Sequence, residues 1–245
     1  MKTSTRYTLI VLGLLILTAL SLQSCTQTAE AYAALKTNNI ETVNSAISAT
    51  NATELTDDEI ASLVYMREEE KLAHDVYLTL YDLYGLPIFK NIARSEQTHT
   101  DAVKRLLDAF DIPDPADTSP IGVFEDVKLQ SLYDELIQTG SQSLGDALKV
   151  GAAIEEIDIL DLEENLGFLE NESIRSVFNN LLQGSENHLR AFTKTLARNS
   201  GETYQPQYMD ADAYNDIVTT TVATPQRVDQ QGDKMTISRG GRNRR

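Results

Sequence analysis

The stretch Arg94-Ser95-Glu96-Gln97-Thr98-His99-Thr100-Asp101-Ala102-Val103 carries the pattern that decides the fold of this chain. Glu96 and His99 are three residues apart, and at about 3.6 residues per turn of an α-helix their side chains project from the same face. That face continues apolar on both sides through Ile92, Val103, Leu106 and Phe110. A Glu-x-x-His pair on the buried face of a bundle helix is half of a carboxylate-bridged two-metal site. An isolated pair also occurs by chance, so the rest of the chain decides between the two interpretations.

Composition places the chain among the all-α proteins. Trp is absent, Gly and Pro are few, and long stretches repeat Leu, Ala, Glu, Asp and Lys at helical spacing. The formal net charge of −16 and the sequence pI near 4.5 argue against nucleic acid or anionic membrane surfaces as partners and are compatible with attraction of cations. The single cysteine, Cys25, excludes an intrachain disulfide and a cysteine-based zinc site.

The first 25 residues are typical of a targeting segment. Basic residues precede an apolar run over residues 9–17, which is too short for a membrane span, and the segment ends at Leu22-Gln23-Ser24-Cys25. A small residue directly before the cysteine resembles a bacterial lipoprotein signal. This resemblance predicts lipid attached to Cys25 and anchoring in the bacterial cell envelope, on the periplasmic side or at the cell surface. The alternative is an ordinary secretory signal with an incidental cysteine.

Two polar segments flank the predicted core. Residues 26–54 are rich in Ala, Thr and Asn and are expected to form a tether. Residues 201–245 are expected to form a polar, mostly disordered tail, because the last part of the chain lacks the apolar content of a core, although the segment Tyr204–Tyr208 could pack on the bundle. The predicted division is therefore a signal at 1–25, a tether at 26–54, a helical bundle at 55–200 and a tail at 201–245.

The first two long helices are predicted to form a hairpin. Thr56 followed by three acidic residues is a capping signal for the first helix, and Gly85 with Pro87 marks the turn after it. The second helix runs from about 87 to 110. Because the connection is so short, the two helices are expected to pack antiparallel.

A long crossover separates this hairpin from the last two long helices. Within residues 111–142, Ile112-Pro113-Asp114-Pro115 ends the second helix and Ser119-Pro120-Ile121-Gly122 is expected to be irregular. One short helix is predicted at about 125–137. A crossover of this length lets the third helix, at about 143–166, run parallel to the second. The fourth helix follows a break near residues 170–171.

All four long helices place metal-competent side chains in the middle of their inward stripes, where a core-facing helix is ordinarily apolar. Several carboxylates buried without counter-charge are costly, and two divalent cations would cancel that charge. The predicted metal ligands are Glu70, Glu96, His99, Glu155 and His188, with His74, Glu156 and Asp158 as weaker candidates.

Several alternatives remain open for individual residues. Glu70 could instead pair with Arg67 or Arg94, and His74 could be a satisfied core histidine. Asp158 could support the ligands without binding metal itself. The tyrosines at 77 and 81 are interpreted as core aromatics.

Four stretches resemble the ferritin-like superfamily, and most closely a bacterial ferritin-like family known only as a domain of unknown function. They are Met66-Arg67-Glu68-Glu69-Glu70-Lys71-Leu72-Ala73-His74-Asp75-Val76-Tyr77, Ser95-Glu96-Gln97-Thr98-His99, Ile154-Glu155-Glu156-Ile157-Asp158-Ile159 and Gly184-Ser185-Glu186-Asn187-His188-Leu189-Arg190-Ala191-Phe192. The resemblance implies a ferritin-like four-helix bundle with a long crossover and a two-metal iron site, in which manganese or zinc could replace iron. It also implies that Glu96 and Glu155 bridge the metals while Glu70 and the histidines are terminal ligands.

The fourth helix departs from the superfamily pattern. Di-iron members often carry a second Glu-x-x-His there, whereas this chain has Ser185-Glu186-Asn187-His188, with serine at the glutamate position. Glu186 lies about 100° away around the helix and is expected to point elsewhere. The missing ligand puts oxidase chemistry in doubt more than it does metal binding.

Three functions are therefore in competition. The first is a ferroxidase-type or peroxide-consuming oxidoreductase, the second is an envelope protein that binds or senses metal without turnover, and the third is a structural or interaction bundle with a degraded site. A lipid-anchored chain with a long tether favours a monomer or dimer over a closed storage shell.

Overall fold

The computed structural model describes residues 55–220, and within this range the chain forms six helices and no strand, so the predicted all-α class is confirmed. The helices are α1 (Asp57–Tyr84), α2 (Pro87–Ala109), α3 (Val127–Gly140), α4 (Leu144–Leu166), α5 (Glu172–Ser200) and α6 (Ala211–Thr219). None of these six helices is long and apolar enough to cross a membrane. The predicted signal, the lipidation site at Cys25, the tether and the end of the tail lie outside the described residues.

The ends of α1 follow from local sequence. The Thr56 side chain accepts a hydrogen bond from the backbone N–H of Glu59, and the Glu59 carboxylate accepts one of 2.9 Å from the backbone N–H of Thr56. This reciprocal arrangement confirms the predicted capping box. Gly85 ends the helix in the left-handed conformation with φ of 63°, which glycine adopts without steric cost, and Pro87 begins α2.

The direction of the long helices follows from their contacts. The Ser62 hydroxyl hydrogen-bonds Asn165 near one end of α1 and α4, and the Tyr77 hydroxyl donates to the carbonyl of Gly151 towards the other end. These contacts make α1 and α4 antiparallel. Since α1 is also antiparallel to α2 across their short loop, α2 and α4 run in the same direction, which is the arrangement expected from the long crossover.

The short helix of the crossover begins slightly later than predicted. We expected it at about 125–137, and it spans Val127–Gly140. The reason is the cap: the Asp126 carboxylate accepts hydrogen bonds from the N–H groups of Lys128 and Leu129. The buried carboxylate of Glu68 in turn accepts hydrogen bonds from the N–H groups of Glu125 and Asp126, and this fixes the start of α3 against α1.

The interior has two apolar cores separated by a polar layer. One core gathers Tyr77, Phe89 and Phe192, and the other gathers Met66, Leu106 and Phe178. Each of the four long helices contributes buried polar side chains at the level between or beside these cores: Glu70 on α1, Glu96 and His99 on α2, Glu155 and Asp158 on α4, and Ser185 and His188 on α5. The fold therefore brings the polar middles of four helices to one level.

Packed structure continues past residue 200, where we expected the tail to begin. Residues 201–219 return along the molecule and end in α6, which packs against α5. Tyr204, Met209 and Tyr214 are buried in this segment. The boundary at 200 is therefore too early for the packed part of the chain, because these three apolar side chains anchor an otherwise polar stretch.

Candidate metal centre

The polar layer brings together all five of the primary predicted ligands. Glu70 comes from α1, Glu96 and His99 from α2, Glu155 from α4 and His188 from α5, and each is at most 5% exposed. They form two sets with ligand atoms within 4.8 Å of one another. One set is Glu70, Glu96 and His99, and the other is Glu96, Glu155 and His188, so that Glu96 belongs to both.

Glu96 lies between the two histidines. Its Oε2 atom is 2.8 Å from Nδ1 of His99, and its Oε1 atom is 2.7 Å from Nδ1 of His188. Each histidine also faces one further carboxylate, with Glu70 Oε2 at 3.2 Å from His99 and Glu155 Oε2 at 3.4 Å from His188. The imidazole rings stack with centroids 5.4 Å apart. The centre thus consists of two similar halves joined by one carboxylate.

Burial and charge shift the pKa values of these groups in opposite directions. Burial raises the pKa of Glu70 and that of Glu155 to about 7, even though a histidine faces each of them. Burial also acts to raise the pKa of Glu96, but the charges of His188 and His99 outweigh it and hold that pKa well below its usual range.

The two histidines are favoured in their charged form. Burial opposes the charge on His188, but Glu96 and Glu155 overcome it and raise the pKa of His188 to about 10. Glu70 and Glu96 likewise raise the pKa of His99 well above its usual range. Protons on the imidazoles therefore supply the counter-charge for the buried carboxylates. Bound metal ions would take that role and displace the protons.

Several buried polar atoms of the layer lack a hydrogen-bond partner. They are Glu70 Oε1, Glu96 Oε1, Asp158 Oδ1, His188 Nδ1 and both carboxylate oxygens of Glu69. The close approach of Glu96 Oε1 to His188 Nδ1 is thus not an aligned hydrogen bond. Buried polar atoms in native proteins are nearly always satisfied, so the unsatisfied atoms of Glu70, Glu96 and His188, which belong to the two ligand sets, fit a metal ion.

Two neighbours fix the ligands in place, and sequence reasoning missed the role of both. The Tyr77 hydroxyl donates a hydrogen bond of 2.6 Å to Glu155 Oε1, so this core aromatic also orients a ligand. Gly184 lies against the His99 ring, where an added Cβ would stand 2.5 Å from Nε2. The only available signal for Tyr77 was its place on the same stripe as Glu70. For Gly184, a glycine inside a helical pattern was the only hint.

The weaker candidates occupy different places. Nδ1 of His74 lies 2.8 Å from Asp75 Oδ1, outside both ligand sets. Glu156 points away from the centre, and its carboxylate accepts hydrogen bonds from the backbone N–H groups of residues 207–209. Asp158 is buried at the edge of the layer and accepts a hydrogen bond from Ser185.

The contacts of the remaining charged residues show whether Arg67 or Arg94 pairs with Glu70 and where Glu186 points. Arg67 forms an ion pair of 3.0 Å with Asp114 and hydrogen-bonds Thr100, and Arg94 is exposed, so neither neutralises Glu70. Glu186 pairs with Arg190 at 2.9 Å, on the side away from the centre, as its position on the helix predicted.

Fold and site together define an all-helical protein with a buried cluster of three glutamates and two histidines between two apolar cores. Residues 59–221 match the family described as "Uncharacterized protein domain (DUF2202)", and the chain belongs to that family. The match includes the segment beyond residue 200 that packs onto α5.

One relative is known both as a sequence and as a crystal structure. Uncharacterized protein MJ0754 of Methanocaldococcus jannaschii is 51% identical over 167 residues, which are 68% of this chain and 90% of the relative. The crystal structure of hypothetical protein MJ0754 matches with a TM-score of 0.69 and 48% identity, covering 71% of this chain and 98% of that one. This relative is archaeal, so similarity extends beyond the bacterial proteins that the sequence resembled.

Proposed function

We propose that the chain is a ferritin-like four-helix bundle that binds a pair of divalent metal ions, principally iron, with manganese or zinc as alternatives. The observation that carries this proposal is the position of Glu96, whose two oxygens face the two histidines from different helices. The antiparallel hairpins, the long crossover and the shared direction of α2 and α4 support the ferritin-like arrangement.

The geometry suggests a role for each ligand. Glu96 would bridge the two metals, Glu70 and His99 would complete one position, and Glu155 and His188 the other. Glu155 approaches only His188 of the two histidines, so it is a weaker candidate for a second bridge than the resemblance implied. Mixed carboxylate and imidazole ligands suit iron, manganese and zinc. Bound iron would supply oxidation of iron(II) by dioxygen or peroxide, as in a ferroxidase or a peroxide-consuming oxidoreductase.

A second candidate function is metal binding without turnover. The observation that favours it is Ser185, which is fully buried at the position of a missing glutamate and donates its hydroxyl hydrogen bond to Asp158. One half of the centre therefore has fewer charged ligands than a complete di-iron site.

We also propose that the protein acts in the cell envelope, held at the membrane by lipid on Cys25, as a monomer or dimer whose partners are metal ions and not nucleic acid. The signal-like sequence before Cys25 and the acidic composition support this placement. Loss of membrane fractionation in a Cys25→Ser variant would be the expected result, and retention of the variant in the membrane would contradict it.

Substitution of the histidines tests the metal-binding function. His99→Ala and His188→Ala are each expected to lower metal content, whereas His74→Ala, the matched control outside the cluster, leaves it unchanged. Consumption of iron(II) and oxygen by the wild type then separates an oxidoreductase from a binding protein. Wild-type protein that binds no metal, with a melting temperature unaffected by iron, zinc or manganese, would leave a structural bundle.

A further inference from the structure

A row of acidic residues leads away from the metal centre along α4. Glu155, Asp158, Asp161 and Glu164 recur every three residues. Three residues of a helix fall about 60° short of a full turn, so the row winds gradually around α4. Glu155 is 1% exposed and Asp158 is 5% exposed, whereas Asp161 is half-buried and Glu164 is exposed. The row therefore connects the buried centre with solvent.

Glu69, on α1, faces the middle of this row. It is 5% exposed, and no hydrogen-bond donor reaches either of its carboxylate oxygens, which lie within hydrogen-bonding reach of the Asp161 carboxylate. Burial and then the charges of Asp161 and Asp158 raise the pKa of Glu69 well above its usual range. Its position immediately before Glu70 places it next to a proposed ligand but on a different side of the helix.

Glu69 and Asp158 line one small cavity between α1, α3 and α4. The rest of its lining is apolar and consists of Leu72, Ala73, Leu132, Ile154 and Ile157. Oδ1 of Asp158 also lacks a hydrogen-bond partner. The cavity thus has three buried, unsatisfied carboxylate oxygens in the walls of an otherwise apolar space.

The neighbours of this group are neutral or acidic. Ser185 donates to Asp158, and the Tyr65 hydroxyl lies 3.4 Å from Asp161 Oδ2. Carboxylate oxygens are the ligands preferred by hard divalent cations, which here would supply both the missing partner and the missing counter-charge. The carboxylates of the metal centre, Glu70, Glu96 and Glu155, are also buried, but two histidines lie among them. The carboxylates of Glu69, Asp158 and Asp161 have no such imidazole.

We propose that Glu69, Asp158 and Asp161 form a transit site, at which a divalent cation pauses between solvent and the Glu70–Glu96–Glu155 centre. This proposal rests on the proposed metal-binding function and adds to it a route and three residues. The site differs from a resident metal site in two ways: none of the three residues belongs to the two ligand sets around Glu96, and their carboxylate oxygens do not all lie within the 4.8 Å of one another that those sets show. A competing structural explanation is that Glu69 and Asp161 share a proton and serve only packing.

The test is the rate of cobalt(II) binding, followed by visible absorbance under anaerobic conditions after rapid mixing. We expect Glu69→Gln and Asp161→Asn each to slow binding by about tenfold or more, because an acidic path raises the local cation concentration and the on-rate by at least that factor. Final stoichiometry and melting temperature should match those of the wild type. Glu163→Gln is the matched control, since it removes one charge from an exposed position on the same helix.

The outcomes separate the competing explanations. Unchanged rates in both variants would overturn the transit site and favour the proton-sharing pair. A loss of stoichiometry that parallels the slower rate would also overturn it, since the residues would then be resident ligands. Wild-type protein that takes up no cobalt would instead refute the metal-binding function itself. If Glu69→Gln does not fold, the half-buried Asp161→Asn decides the question alone.

Discussion

Oε1 of Glu96 lies 2.7 Å from Nδ1 of His188, although the two residues are on different helices and both are almost fully buried. The other oxygen of the same carboxylate is 2.8 Å from His99. One glutamate thus joins two imidazoles, while the buried cations Arg67 and Lys71 pair with aspartates elsewhere. Without metal, this arrangement depends on protons, so its stability must depend on pH.

The metal-free protein is expected to lose stability as pH rises. The pKa of His188 is raised from 6.5 to about 10, and the pKa values of Glu70 and Glu155 are raised from 4.5 to about 7. A raised pKa in the folded state contributes stability that is complete below the usual pKa and lost as pH rises through the folded value. The carboxyl groups therefore act between pH 4.5 and about 7, and His188 between pH 6.5 and about 10.

Melting temperatures measured in the presence of a chelator test this dependence. Glu96 acts in the opposite direction, because its lowered pKa adds stability above its usual value of 4.5 that is lost in acid. His188→Ala should flatten the decline above pH 6.5, where this histidine titrates. A melting temperature that increases steadily across the same range would contradict the assignment of these protons.

Tyr77→Phe is expected to weaken metal binding without unfolding the protein. The change removes the 2.6 Å hydrogen bond to Glu155 and leaves a buried carboxylate oxygen without that donor. Loss of such an outer partner typically lowers metal affinity about 10- to 100-fold. Competition titration with a chromophoric chelator measures the change. Tyr81→Phe is the control, because Tyr81 is half-buried and packs under Lys90, away from Glu155.

Gly184→Ala should disturb the centre through His99. The new Cβ would stand 2.5 Å from Nε2 of the imidazole, so the ring must move, and we expect metal affinity to fall by about tenfold or more. Gly145→Ala is the matched change, since a Cβ there meets atoms only at 3.6 Å or beyond. It should be neutral or stabilising by up to about 1 kcal/mol. Equal metal affinities in the two variants would show that the His99 ring is not held by Gly184.

Glu156→Gln should show that Glu156 and its neighbour Glu155 have different roles. Glu156 accepts backbone hydrogen bonds from residues 207–209, so its loss should cost about 2 kcal/mol and expose residues 201–220 to protease, while metal content stays unchanged. Glu202→Gln, a change at a half-exposed side chain in the same segment that affects only an ion pair with Lys149, should have little effect. Loss of metal in Glu156→Gln would place this residue in the centre after all.

The inward stripe of each helix could be predicted from sequence because the stripe is a property of that helix alone. Glu96, His99 and His188 interrupt apolar stripes, and the structure brings them together. Glu69 could not be found in this way: it lies off the stripe of Glu70 and is buried because α3 and α4 cover that side of α1.

The periodicity of one helix also does not show which later segment of the chain packs back onto the bundle. Glu156 was a neighbour that periodicity could not separate from Glu155, and its partner is the backbone of residues 207–209. The segment around them, residues 201–220, is rich in polar residues, with Tyr204, Met209 and Tyr214 as its buried side chains. Long-range hydrogen bonds to backbone leave no periodic trace in a sequence. The packing of Tyr204–Tyr208 was therefore only an open possibility, and both Glu156 as its anchor and the continuation into α6 were missed.

The most direct test of a metal centre built around Glu96 is the metal stoichiometry of the purified wild-type protein and of Glu96→Gln, measured side by side by elemental analysis after aerobic titration with iron(II). We expect about two irons per wild-type chain, with near-ultraviolet absorbance that develops as iron is oxidised, and a loss of both irons in Glu96→Gln because the bridging carboxylate would serve both positions. One tightly held metal without that absorbance would favour binding without turnover. No bound metal in the wild type, or equal metal content in the two proteins, would contradict a centre built around Glu96.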